Sequence, residues 1–248
     1  MSNPRLPPEL LDHVIDLLHD TKHTLKECSL VSRSWIPRTR KHLFASIKIK
    51  TEAELNSWRE MFPDPSTSLA RHAETLIVGC SHIVAAADAE VDGWIRGFSH
   101  VERMELTGKG VYLDGSAISL LPFHGFSSAM KSLRVELDII PSLEVFNLIL
   151  SLPRLEDLAV LGFHSIDDEG IPATVRPSSS PIVTATFLGG MKHIIRRFLS
   201  LPGGVDFRKL TLLWNQEQDL PLTMSLVEGC SHTLEDLTIN SIPFGAPI

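Results

Sequence analysis

The stretch Val101-Glu102-Arg103-Met104-Glu105-Leu106 sets apolar side chains at the first, fourth and sixth places of a six-residue frame. Its last two apolar residues are two apart, so in an extended strand they point to the same face. Working outward, the same frame occurs at Phe44/Ile47/Ile49, Ala73/Leu76/Val78, Met130/Leu133/Val135, Leu155/Leu158/Val160, Ile182/Ala185/Phe187, Phe207/Leu210/Leu212 and Leu234/Leu237/Ile239. Between successive middle residues the steps are 29, 28, 29, 25, 27, 25 and 27. A chain that is 43% hydrophobic yields one such frame by chance, but eight at near-constant spacing need a structural cause. Steps of this size hold a short strand plus a returning segment, one repeat unit per step.

The segments between the frames have helical patterning at Glu52–Phe62, Asp88–Phe98, Ser142–Leu152, Met191–Leu201 and Leu222–Ser231. Two of them end in Leu152-Pro153 and Leu201-Pro202, where proline stops a helix. The spacing therefore predicts an α/β fold. Residues 46–248 would form an irregular leucine-rich-repeat-like solenoid, a curved parallel sheet with helices on its outer side. The register is irregular, and the Asn or Cys of the leucine-rich-repeat consensus is missing after most strands, so another α/β arrangement is the alternative. Residues 167–181 end in Arg-Pro-Ser-Ser-Ser-Pro and read as a loop protruding from the array. The sequence stops at Ile248, nine residues past the last frame. Either Ile242–Ile248 cover the last repeat, or the sequence is a piece of a longer protein, because repeat arrays need a terminal cap.

Residues 1–45 follow a different pattern and form a separate small helical domain by this reading. Pro7 and Pro8 suit a helix start. Leu10, Leu11, Val14, Ile15, Leu17 and Leu18 then recur at three- and four-residue spacing and build one wide apolar face. Asp12, His13, Asp16, His19 and Asp20 read as the polar face opposite. Thr24-Leu25-Lys26-Glu27 has the form of a capping box opening a second helix, with Leu25, Cys28 and Val31 on its apolar face and Leu30 alongside. A third helix can start from Ser34, with Trp35 first and Pro37 tolerated in the first turn. Three helices of about ten residues each are too small to be very stable alone and need something to lean on. Residues 1–50 carry nine Lys/Arg against five Asp/Glu, although the whole chain has a net charge of −7. The basic run from Arg33 to Lys50 could steer an acidic partner; equally, it is a solvated helix face.

Leu6-Pro7-Pro8-Glu9-Leu10-Leu11, then Ile15 and Leu18, then Leu25, Cys28, Ser29, Leu30, Val31, Ser32, Arg33, Ser34 and Trp35, closing on Leu43-Phe44, resembles an F-box, in particular that of mushroom-type fungal F-box proteins. The resemblance spans about 40 residues. It implies a non-catalytic, substrate-recognition role in a Skp–cullin–F-box ubiquitin ligase. The box would bind the Skp-family adaptor, and through it cullin, while the repeats would hold a protein substrate. It also implies that Leu6, Pro7, Glu9, Leu10, Ile15, Leu18, Leu30, Val31, Ser32 and Trp35 lie at or beside the adaptor interface. The alternative for any one of these residues is that it packs the box itself. For the chain as a whole, the alternative is a repeat scaffold whose box is vestigial or acts outside a ligase.

Composition narrows the other classes. The net charge argues against a general nucleic-acid binder, which concentrates positive charge. Three widely spaced cysteines, Cys28, Cys80 and Cys230, suit a reducing compartment rather than a disulfide framework. The first residues lack the apolar core of a signal peptide, and no window has the apolar run needed to span a bilayer, so a cytoplasmic or nuclear protein is expected. Gly79-Cys80-Ser81-His82 and Gly229-Cys230-Ser231-His232 repeat four residues, but they fall in different phases of the repeat at opposite ends of the array. They read as small residues packing at repeat corners, not as a zinc site. Asp167-Asp168-Glu169 reads as a solvated turn beside Gly170. No phosphate-loop, nucleophile-elbow, dinucleotide or zinc-protease string is present. No catalytic residue, metal or cofactor is expected.

Overall fold

The computed structural model describes residues 7–79, 89–108, 120, 123–124, 126–166, 182–201, 204–214 and 220–241. The chain opens with α1 (Pro8–Leu17), α2 (Lys22–Val31), a 3₁₀ turn (Arg33–Trp35) and α3 (Ile36–Phe44). It then alternates: β1 (Ser46–Ile49), α4 (Glu52–Met61), a second 3₁₀ turn (Leu69–His72), β2 (Thr75–Gly79), α5 (Ala89–Arg96), β3 (Arg103–Gly108) and β4 (Ser132–Leu137). There follow β5 (Ile139–Pro141), α6 (Ser142–Leu150), β6 (Asp157–Ile166), β7 (Thr184–Gly190), α7 (Lys192–Leu199), β8 (Lys209–Trp214), α8 (Leu220–Gly229) and β9 (Asp236–Ser241).

The strands form one parallel sheet in the order β1-β2-β3-β4-β6-β7-β8-β9, so neighbours in the sheet are neighbours along the chain; β5 adds a short pairing to β6. The middle residues of the eight frames, Ile47, Leu76, Met104, Leu133, Leu158, Ala185, Leu210 and Leu237, lie side by side in one register row. A single backbone device repeats at the strand entrances. The carbonyl of Ala45 accepts from both Glu74 N and Thr75 N, at 2.8 and 2.9 Å. The carbonyls of Glu74, Glu102, Lys131, Glu156, Val183 and Arg208 each accept in the same way from two consecutive amides of the following strand entrance.

One sheet face is buried and the other is open. The frame residues on β1 to β8 are buried against the helices and loops. Between them Lys48, Ile77, Glu105, Arg134, Ala159, Thr186, Thr211 and Thr238 stand half-buried or exposed. The covering helices match this with single apolar stripes. On α7, Ile194, Ile195 and Phe198 face in while Lys192 and Arg196 face water. Phe198 sits at the centre of an aromatic cluster, 5.3 Å from Phe146, 5.8 Å from Phe187 and 5.6 Å from Phe207 between ring centroids, all edge-on. On β9 the pattern weakens, since Leu237 is 39% and Ile239 40% exposed.

Several expectations shift. The second helix begins at Lys22, so Thr24 lies inside its first turn and makes no capping box; the carbonyl of Thr21 already accepts from Leu25 N at 3.0 Å. A cap of that form occurs instead at α4, where Thr51 Oγ1 accepts from Glu54 N and Glu54 Oε2 accepts from Lys50 N. Ser34 and Trp35 belong to the 3₁₀ turn, and the third α-helix starts at Ile36. The inter-frame helices end one or two residues before the expected limits, Leu150 and Leu199 being the last helical residues of α6 and α7. β5 was not anticipated. Where it joins, Gly162 is required, because a Cβ there would fall against the Leu137 carbonyl and 2.6 Å from Ile140 Cδ1. The segments 167–181 and 242–248, with Cys80-Ser81-His82, lie outside the described residues.

Replacing Phe198 with alanine removes the ring shared by three aromatic partners. The expected loss is about 3–5 kcal/mol of unfolding free energy, to be read by urea denaturation.

Candidate partner-docking surface

On α1 the apolar residues split into two stripes. Leu11, Ile15 and Leu18 turn toward the other helices, with Ile15 only 1% exposed. Leu10, Val14 and Leu17, at i, i+4 and i+7, form a second stripe that is 53%, 51% and 70% exposed. On α2, Leu25 is fully buried while Leu30 and Val31 at its C-terminal end are 87% and 69% exposed. Five large apolar side chains on two short helices are thus left to water, whereas among the described residues β1 to β8 leave no large apolar side chain exposed to that degree.

Polar contacts hold the helices together. Asp16 on α1 receives hydrogen bonds from Arg38 Nε at 2.6 Å, from Arg38 Nη2, and from His42 Nε2 at 2.7 Å, both partners lying on α3. The Arg38 and His42 hydrogen bonds hold the Asp16 carboxyl well below the usual carboxylate range, and the same bond raises Arg38. Asp16 is therefore not part of a solvated polar face, as its spacing suggested. Thr39, fully buried, donates from Oγ1 to the carbonyls of Trp35 and Ile36. Ser32 Oγ accepts from Ser34 N at the entrance to the first 3₁₀ turn.

The residues named from sequence as lying near an interface now separate. Pro7, Glu9, Leu10, Leu30 and Val31 are exposed, and Leu18, Ser32 and Trp35 are half-buried. Ile15 is interior and packs the trio, the alternative open for each of these residues. Leu6 lies outside the described residues. Val14 and Leu17 are the exposed residues not singled out. Their signal was present, because six apolar residues within nine positions are more than one buried stripe of a short helix can use.

The open face of the sheet is the other large surface. Its first half is charged, with Lys48, Arg103, Glu105, Arg134 and Glu136, and Arg134 pairs with Glu136 at 2.9 Å. Its second half carries a row of Thr186, Thr211 and Thr238, in register, beside Leu188 and Leu213. Of the Cys/His repeats, Cys230 is buried with its Sγ donating to the Leu226 carbonyl, and burial pushes its thiol up. His232 instead meets Asp206 at 3.0 Å in the open. Among the described residues no group of three or more His, Cys, Asp or Glu could hold a metal ion, and no helix is long and apolar enough to cross a membrane. Compared with protein-family models, curated proteins and solved structures, the chain matches none.

Asp16→Asn should loosen the helical trio. A depressed native carboxyl gives stability that is present above the ordinary aspartate value of 3.8 and lost as pH falls through the lower, native value. The wild-type melting temperature should therefore drop more steeply below about pH 4 than that of the variant, the two curves converging in acid. Parallel pH profiles would contradict the clamp.

Proposed function

We propose that the chain is a non-catalytic substrate-recognition subunit of a Skp–cullin–F-box ubiquitin ligase, the helical trio binding the Skp-family adaptor and the sheet region holding a protein target. The reading rests on the F-box resemblance of the first 44 residues and is carried by one observation: α1 has a second apolar stripe, Leu10/Val14/Leu17, that its own domain does not use. An apolar stripe on a short exposed helix is costly to leave in water and is the expected feature of a surface that a partner covers. Leu30 and Val31 add to it from α2.

The sheet region is proposed as a degenerate leucine-rich-repeat solenoid. Sequential parallel strands in one register, one buried face, and the same two-amide acceptor at each strand entrance support this. In such an array the open face is where a target would be read, and it carries charged side chains along its whole width, from Lys48 on β1 to Lys209 and Asp236 on β8 and β9, with Thr186, Thr211 and Thr238 among them.

Coexpression with a Skp-family adaptor should give a complex that elutes as one species on a sizing column. Leu10→Asp and Leu30→Asp should each abolish copurification while leaving the far-ultraviolet dichroism and melting temperature unchanged, since both side chains are exposed. Separate elution of the wild-type chain would sink the proposal.

A further inference from the structure

We infer that the cleft between α3 and the second 3₁₀ turn binds a phosphomonoester dianion through Lys41, Arg71, His72 and His100. These four side chains and Glu74 line one open cavity of about 460 Å³. They come from three places in the chain: the last turn of α3, the end of the 3₁₀ turn Leu69–His72, and the approach to β3. The convergence is not a consequence of composition, because the chain as a whole carries a net charge of −7.

The surroundings leave this cluster unneutralised. Among the described residues, no hydrogen bond or ion pair engages the side chains of Lys41, Arg71, His72 or His100. Acidic groups on the neighbouring elements are committed elsewhere: Asp16 to Arg38 and His42, and Glu102 to Lys131 at 3.1 Å. Glu74 is the one carboxylate lining the cavity, and it is exposed. His72 is half-buried, and its proton affinity is lowered by lost hydration and then by Arg71, Lys41 and His100. Lys41 and Arg71 bring two fixed cations to one concavity, and an anion entering it offsets their mutual repulsion while the two imidazoles offer further ring nitrogens. A phosphoryl group offers the charge and the several acceptor oxygens that such a set of donors can share. This chemistry is common to inorganic phosphate and to a phosphorylated serine or threonine on another protein. The site lies apart from the exposed stripe of α1 and does not depend on the ligase reading.

The test is calorimetric titration of the full chain with inorganic phosphate, with a phosphoserine peptide and with its unphosphorylated form. Saturable binding of phosphate is expected, with no binding of the unmodified peptide. Arg71→Ala and Lys41→Ala, both on exposed positions, should each weaken it about tenfold or more while leaving the melting temperature unchanged. Phosphate should also raise the His72 pKa followed by NMR, which a purely structural role for these residues would not produce. Tighter binding of the phosphopeptide than of phosphate would support a protein-borne ligand, and equal binding a free anion. Absence of saturable phosphate binding, affinity unchanged in both variants, or a His72 pKa indifferent to phosphate would overturn the assignment.

Discussion

At each return of the chain to the sheet, a single carbonyl oxygen at the strand entrance accepts the amides of two consecutive residues of the next strand, from Ala45 at the first junction to Arg208 at the last. This contact ties the register of each strand to that of the next through the backbone alone. In a parallel sheet a slip of one residue would carry Lys48, Glu105 and Arg134 into the apolar layer and bring the frame leucines out to water. With the register held, one buried row runs from Ile47 to Leu210, and the steps between repeats can vary from 25 to 29 residues without disturbing it. Variation in length is taken up on the helical side, where loops tolerate it.

The same device joins the two parts of the molecule. Ala45 follows α3 as its C-cap, and its carbonyl is also the first acceptor of the ladder. Phe44, the last residue of α3, stacks edge-on against Trp58 and Phe62 at 6.3 and 5.7 Å, so the end of the trio packs with the first covering helix. Lys22 Nζ reaches the Ser46 carbonyl at 3.4 Å from the start of α2. The trio therefore leans on the sheet through its third helix. The stabilisation that three short helices lack alone is supplied there, without covering the outer stripe of α1.

The sheet was legible from sequence because its signal is redundant. Eight frames carry the same apolar triplet, and an error in one is corrected by the spacing of the others. Helix boundaries had no such redundancy. The strings Thr24-x-x-Glu27 and Thr51-x-x-Glu54 are alike, yet only the second caps a helix. Thr51 leaves a strand in extended conformation, whereas the first string follows a tight connection from α1, with Leu25 drawn into the core and the helix already started. β5 was invisible because its three residues continue directly from β4, and its existence depends on Gly162 across the sheet. On the helical trio, sequence marked the apolar positions but could not divide Leu10 from Leu11 or Val14 from Ile15. That division depends on where α3 lies.

The position of α3 follows in turn from Asp16. Among the described residues of the trio only Ile15 and Leu25 are fully buried apolar side chains, too few to fix three helices by packing alone. A half-buried carboxylate bound by a guanidinium and an imidazole from one neighbouring helix adds direction that apolar contact lacks, because its bonds hold α1 at one rotation about its own axis. Successive residues on a helix are about 100° apart, so a rotation that buried Leu10, Val14 and Leu17 would swing Asp16 away from Arg38 and His42. The tie therefore selects which of two adjacent apolar stripes faces inward and commits the other to the outside. Exposure of that stripe is a consequence of the trio's own cohesion, and the stripe stays turned outward for as long as α3 is left where it is.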